Sequence, residues 1–324
     1  MRASVRFDRT ATHGESGRRA VRCAAPGDRR YAVPMDAMPP SRLQLPRGPW
    51  SSVLEALCAR FPQVDEATWR SRFARGRVQD AQGRPIDIAA AYRAGLEVRY
   101  FREVEDERPI PQAESVLHAD DHLVVAWKPP FLPVAPTGAY VRETLLTRLV
   151  ARLGNRALVP LHRIDRDTSG LVLFSADPAS RARYHALFSG RRIRKHYLAL
   201  APPLPALSFP YRHRSRLAPG EPFFRMREVP GEANCETVIE PIDRGDANWT
   251  YRLEPVTGRK HQLRVHMAAL GAPILHDRLY PELQPQAPDD ADRPLRLCAH
   301  SLAFDDPLTG EPRRFTVEPG FDVP

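Results

Sequence analysis

The chain has 324 residues, 42% of them apolar and 27% charged, with a net charge of +9, a composition suited to about two folded domains with a sizeable core. No apolar run approaches the ~20 residues of a membrane-spanning helix, and no secretion-signal core opens the sequence. Four scattered cysteines (Cys23, Cys58, Cys235, Cys298) form neither a disulfide framework nor a paired metal spacing, so membrane and secreted scaffold classes fall away and a reducing cytoplasm is the expected home.

Residues 1–40 read as a disordered basic tail, with eight arginines against four acids and no persistent apolar period. That tail carries +4 of the +9, so charge alone is weak evidence for a polyanionic partner. Met35 and Met38 are alternative starts, and the tail is expected to carry no function. Residues 41–106 form a small unit. Residues 51–57 read as a capped helix, residues 61–65 lead into a second helix carrying Trp69 and Phe73, and Gly76-Arg77-Val78 opens short strands that end at 96–100. This order resembles the small RNA-binding module first seen in a ribosomal small-subunit protein. The resemblance implies phosphate contacts from Arg70, Arg72, Arg75 and Arg77. Pro109-Ile110-Pro111 marks 107–114 as a linker, and 115–324 is the larger domain.

The larger domain opens with an apolar hairpin, 116–128, closed by Pro129-Pro130. Further on, His162-Arg163-Ile164-Asp165-Arg166-Asp167-Thr168-Ser169-Gly170 runs into the apolar stretch 171–175. An aspartate thus sits between two arginines, in a polar turn, at the lip of a buried strand. Two readings stay open on these residues alone. The acids and hydroxyls shape a turn through local hydrogen bonds, or Asp165 is a functional carboxylate whose burial requires a cation. Residues 178–191 read as a helix with Tyr184, Leu187 and Phe188 on one side. Residues 194–200 alternate as a strand bearing Lys195 and Tyr197, and the proline-rich 202–230 reads as loop. A strand pair, 233–239 and 249–254, delivers Thr257-Gly258-Arg259-Lys260-His261-Gln262-Leu263-Arg264-Val265-His266. The Thr257-Gly258 turn feeds a helix that Gly271 ends. Leu263, Met267 and Leu270 share its buried face, and Arg264 lies on a neighbouring stripe from which it can enter a cleft. Residues 297–304 close the domain as a strand.

Two of these blocks carry a family resemblance. His-Arg-(Leu/Ile)-Asp-x-x-Thr-Ser-Gly-(Leu/Val) and Thr-Gly-Arg-x-His-Gln-(Ile/Leu)-Arg-x-His are the signature forms of the RluA-type pseudouridine synthases. The chain resembles that family over residues 115–318, with the opening hairpin, the Lys195-x-Tyr197 strand and the closing strand as support. Trp127 departs from the family's acidic or asparagine-like residue before Lys128. The resemblance implies an α/β (α+β) fold with a mixed, largely antiparallel central sheet and flanking helices. It makes Asp165 the catalytic residue, Arg264 its cationic partner, and Tyr197 the ring against the target base. His162, Arg163, Thr168, Lys128, Lys195, Arg259, His261 and Gln262 are the expected substrate-binding residues. The implied partner is RNA, ribosomal RNA before transfer RNA, since in relatives the N-terminal module goes with ribosomal substrates. No membrane partner is expected, and the chain is expected to be a monomer. Only three of the 48 basic residues are lysine, Lys128, Lys195 and Lys260, and keeping lysine against that bias suggests a need for a compact ammonium rather than a planar fork.

Pseudouridine formation breaks the bond from ribose to the uracil nitrogen, turns the base and rejoins it through carbon. It transfers no net electrons, so no cofactor is expected. His261 and His266, five apart, do not share a helical face, so no metal site is expected from them. One carboxylate can add to the sugar or draw a ribose proton, and both roles need Asp165 ionised beside a cation. A non-catalytic structured-RNA-binding protein is the nearest rival, but it has no use for an aspartate facing an arginine. A phosphotransferase is remote: the extra residue before Asp165 breaks the kinase His-Arg-Asp spacing, and no glycine-rich phosphate loop is present.

Overall fold

In the computed structural model, residues 40–102, 104 and 107–319 are described. The expected tail, apart from Pro40, lies outside them, as do Met35 and Met38. The N-terminal unit contains β1 (Ser41–Gln44), α1 (Val53–Arg60), α2 (Glu66–Ala74), β2 (Val78–Gln79) and β3 (Glu97–Tyr100). Ser52 caps α1 by accepting from Glu55 N at 3.1 Å, and Glu55 reaches back to Ser51 N at 2.8 Å, a capping box displaced by one residue. Asp65 caps α2 through Thr68 N at 2.6 Å. Val53, Leu57, Trp69, Phe73, Val78 and Val98 close a core under an antiparallel sheet ordered β1-β3-β2. One expectation is corrected here. Arg72 is 6% exposed and stacks on the Trp69 ring at 4.8 Å, so its guanidinium serves the core and not a phosphate.

The larger unit contains β4 (Ser115–Ala119), β5 (Leu123–Lys128), α3 (Leu145–Leu153), β6 (Val159–Pro160), β7 (Ser169–Ser175), α4 (Arg181–Ser189), β8 (Arg194–Ala201), β9 (Tyr211–Pro219), β10 (Met226–Val229), β11 (Cys235–Arg244), β12 (Trp249–Pro255), α5 (Gln262–Ala269), β13 (Leu297–Asp305) and β14 (Pro312–Thr316). One sheet runs β10-β9-β11-β12-β8-β13-β7-β5-β4, with β14 on β13 and β6 on β7. Every pairing in it is antiparallel except β13 with β7, which makes it a mixed α+β sheet.

β7 is apolar on both sides, the pattern of a strand covered on both faces. Val172 and Phe174 pack with Leu145, Leu149 and Val150 of α3, whereas Leu171 and Leu173 pack with Tyr184 and Leu187 of α4. Leu263 and Met267 of α5, with Leu270 just beyond it, meet Ala199, Ile239, Tyr251 and Leu253 in a third cluster. Three helices therefore clamp the sheet around the turn that carries Asp165.

Three details differ from the sequence pattern or add to it. The proline-rich stretch 202–230, expected as loop, holds β9 and β10. In β9 exposed arginines alternate with half-buried Tyr211, His213 and Ser215, an alternation that hydrophobicity does not register. α3 has no counterpart among the expected elements. Residues 107–114 run pinned along α3: Glu107 accepts from Val141, Arg142 and Glu143 N at 2.6–2.8 Å, Ile110 is buried beside Leu145, and Arg148 donates to Gln112 O at 2.7 Å. Among the described residues, no helix is long and apolar enough to cross a membrane.

Candidate active site

β7 begins where it runs parallel to β13, Ser169 beside Cys298 and Gly170 beside Ala299. Gly170 has φ +114°, and a Cβ there would fall 2.4 Å from Ala299 O, so the close approach admits only glycine. The turn carrying Asp165 hangs from this junction. Lys128, paired with Gly170 across β5 and β7, is 0% exposed. It donates from Nζ to Pro129 O at 2.8 Å and Arg166 O at 2.9 Å. Burial pushes its pKa down to about 7, against the pull of Asp167 and Asp165. Lys128, one of the expected substrate-binding residues, has no exposed surface and anchors the backbone one residue past Asp165.

Asp165 is 27% exposed, and its Oδ2 lies 3.4 Å from Arg264 Nη1. Arg264 projects from the first turn of α5 and is 2% exposed. Its other edge is locked by Asp277, Nε donating to Oδ2 at 2.7 Å and Nη2 to Oδ1 at 2.6 Å, while Asp167 stands 3.7 Å from Nη2. Burial opposes the charge, yet the hydrogen bonds to Asp277 and the charges of Asp277, Asp165 and Asp167 outweigh it and raise the Arg264 pKa. A two-point fork of this kind fixes the guanidinium plane as well as its position. The contact to Asp165 is long for a charge-assisted bond, so the carboxylate is steadied without being consumed.

Asp277 is absent from the expected site. Besides Arg264 it caps a turn: its Oδ1 also accepts from Leu279 N at 2.8 Å and Tyr280 N at 3.2 Å. The available signal was the need of a buried arginine for a second carboxylate. Tyr280 joins the same network, its hydroxyl 2.8 Å from His261 Nδ1. His261 sits in the left-handed region at φ +55°, unusual for a side-chain-bearing residue, with Nε2 3.9 Å from Asp165 Oδ1. Burial lowers its pKa, against the opposing pull of Asp165.

Asp165, His261 and Arg264 open onto one cleft of about 860 Å³, within the range that small-molecule pockets occupy. Tyr197, half-buried on β8, lines it, and burial, then the Asp165 charge, push its phenol pKa up. Arg163, Lys195 and Arg259 line the same cleft, Arg163 and Arg259 exposed and Lys195 half-buried, where burial lowers the Lys195 pKa. Thr168 lines it too and is 2% exposed.

His162 is neutral, since burial and then Lys195 push its pKa to about 3. Its Nε2 accepts from Leu173 N at 3.1 Å and its ring stacks on Phe188 at 4.9 Å, so it braces the Asp165 turn against β7 while still bordering the cleft. Gln262 is placed in a similar way. It borders the cleft but is 3% exposed and its amide is fully spent. Nε2 donates to Glu236 O and Thr237 Oγ1, and Oε1 accepts from Thr257 Oγ1 and Arg259 N, at 2.7–3.1 Å. It ties the turn before α5 to β11.

The site is a cationic cleft around one anchored carboxylate. Comparison with known proteins gives the family. Residues 122–269 match the RNA pseudouridylate synthase family model. The dual-specificity RNA pseudouridine synthase RluA of Pasteurella multocida is 33% identical over 232 residues, 64% of this chain and 93% of the relative. An uncharacterized RNA pseudouridine synthase of Synechocystis is 29% identical over 70% of this chain and 79% of its own length. Among solved structures, human RNA pseudouridylate synthase domain containing 4 superposes with a TM-score of 0.50 at 26% identity, covering 63% of this chain and 88% of that one. The chain belongs to the RluA-type RNA pseudouridine synthases, and its activity is the isomerisation of uridine in RNA to pseudouridine.

Proposed function

We propose that the chain isomerises specific uridines in folded RNA, ribosomal RNA before transfer RNA, with Asp165 as the catalytic residue and without a cofactor. The observation that carries the assignment is the anchored pair: a part-exposed carboxylate 3.4 Å from a buried arginine that Asp277 holds from behind. The chemistry needs a carboxylate that is ionised when the nucleoside arrives, whether it adds to the sugar or removes a ribose proton. Arg264 places a guanidinium 3.4 Å from that carboxylate, and because Asp277 takes up its other edge, it does not close over Asp165.

A uridine inside a stack is out of reach, so it must swing out at a cost of a few kcal/mol. Tyr197 offers the extruded base a ring to stack on. Arg163, Lys195 and Arg259 offset the cost through phosphate contacts, which makes binding salt-dependent. The N-terminal unit adds RNA contacts through the arginines other than Arg72, and its resemblance to a ribosomal-protein module favours ribosomal RNA. The protein acts in the cytoplasm as a monomer.

Asp165→Asn is the direct test. Pseudouridine formation is expected to vanish while RNA affinity stays within about twofold, because the change removes a charge without altering shape. Equal loss of both would overturn the catalytic assignment. Mapping pseudouridine across total RNA with and without the gene then identifies the target, and disappearance of a transfer RNA site alone would overturn the ribosomal preference.

A further inference from the structure

Two residues beyond Arg264, roughly 200° around α5, His266 points away from the catalytic pair into a second polar cluster. It is 0% exposed. Its Nε2 lies 3.1 Å from Ser215 Oγ, 3.2 Å from Cys235 Sγ and 3.9 Å from Glu228 Oε1. The same Glu228 oxygen is 2.8 Å from His213 Nε2, and the two imidazole rings meet edge to face with centroids 4.6 Å apart. One donor atom from each of His213, Glu228 and His266 falls within 4.8 Å of the other two. The three come from β9, β10 and α5, so the fold brings them together from distant points in the chain.

We infer that His213, Glu228 and His266 form a binding site for a divalent transition-metal ion, zinc by preference, separate from the catalytic cleft. Zinc with nitrogen and oxygen bonds of about 2.0–2.2 Å holds tetrahedral donors roughly 3.3–3.6 Å apart. The two donor separations to Glu228, 2.8 and 3.9 Å, bracket that value, so small side-chain rotations suffice. His266 Nδ1 is engaged by Thr237 Oγ1 at 2.9 Å, and Thr237 is itself held by Gln262 Nε2 at 2.9 Å. This buttress sets the ring with Nε2 facing the cluster, as in metal-ligating histidines, and an ion there would displace the contacts of Nε2 to Ser215 Oγ and Cys235 Sγ. Two imidazoles with a thiol close by favour zinc over magnesium, which prefers oxygen donors. Three protein ligands leave a fourth position for water, reached on the side of Glu228, whose side chain is 28% exposed. The ion ties the β9–β10 edge of the sheet to the helix that carries Arg264.

The test uses the purified full chain, stripped of metal and titrated with zinc against a chromophoric chelator, beside His213→Ala and Glu228→Gln. Glu228→Gln keeps the size of a part-exposed side chain, and circular dichroism confirms that each variant folds. The wild type is expected to take up one equivalent and to melt at higher temperature with zinc than without. Each variant is expected to bind at least tenfold more weakly, and cobalt in the wild type to give the strong visible absorption of a tetrahedral site. No zinc uptake by the wild type, or uptake unchanged in both variants because other histidines bind the ion adventitiously, would overturn the inference. Neither outcome bears on the role of Asp165.

Discussion

Asp277→Asn isolates the clamp behind the Asp165–Arg264 pair. The substitution keeps the size of the side chain and can keep Oδ1, which accepts from Arg264 Nη2, Leu279 N and Tyr280 N. It puts an amide N–H₂ where Oδ2 now accepts from Arg264 Nε at 2.7 Å, so donor faces donor and one carboxylate charge is lost. Hydrogen bonds to charged groups contribute about 1.5–3 kcal/mol each, and breaking a buried ion pair from one side costs about 3–5 kcal/mol. Arg264 retains Asp165 at 3.4 Å and Asp167 at 3.7 Å, which places the net loss at the lower end, about 3 kcal/mol. In a domain of this size that is a fall in Tm of roughly 10 °C. The freed guanidinium turns toward Asp165 and pairs with it more closely, so kcat is expected to fall at least tenfold while RNA affinity holds. Thermal melts and single-turnover assays on a uridine-containing RNA fragment read both effects. A variant that melts lower but turns over at the wild-type rate would refute the claim that Asp277 positions Arg264 for catalysis.

Two other sites give sharp outcomes. Gly170→Ala places a methyl 2.4 Å from Ala299 O and 2.5 Å from Ala299 N at φ +114°, combining backbone strain with a clash inside the only parallel pairing of the described sheet. A loss of at least about 3 kcal/mol is expected, and a wild-type urea midpoint would show that β7 and β13 do not approach so closely. Lys128→Met removes the donor to Pro129 O and Arg166 O, so activity falls as the Asp165 turn loosens. Because the folded pKa of Lys128, about 7, lies below its ordinary value of 10.5, the unfolded chain holds the extra proton between those values and stability rises with pH there. Between pH 7 and 9 the wild type should gain about 2 kcal/mol relative to Lys128→Met. Parallel urea curves for the two proteins across that range would show that the ammonium is not desolvated.

The division between what the sequence made legible and what it concealed follows the range of the interactions. Asp165 stood out because its turn abuts a strand apolar on both faces, and α5 because Leu263, Met267 and Leu270 repeat at helical spacing; both are local patterns. The roles of individual polar residues were not local. Lys128, Gln262 and His162 sit in motif positions that face substrate on paper. Each is instead occupied with backbone or hydroxyl groups brought in from other segments: Arg166 O, Glu236 O and Thr237 Oγ1, and Leu173 N. Asp277 was hidden for the converse reason, since a turn former and an arginine clamp are the same letter.

β9 shows the limit of hydrophobic alternation. Three of its four inward residues, Tyr211, His213 and Ser215, are polar or amphipathic and only Leu217 is aliphatic, so its burial period runs ahead of its apolar period. That polar inner face is also what places His213 and Ser215 beside His266. The expectation of no metal from His261 and His266 compared two residues of one segment, and the fold sends those two to opposite sides of α5. One ring faces Asp165 and the other faces a strand edge more than thirty residues earlier in the chain. A spacing rule tests donors within one element. In a sheet of eleven strands, the donors that meet are set by strand order, and strand order here was readable only after the hydrogen bonds were drawn.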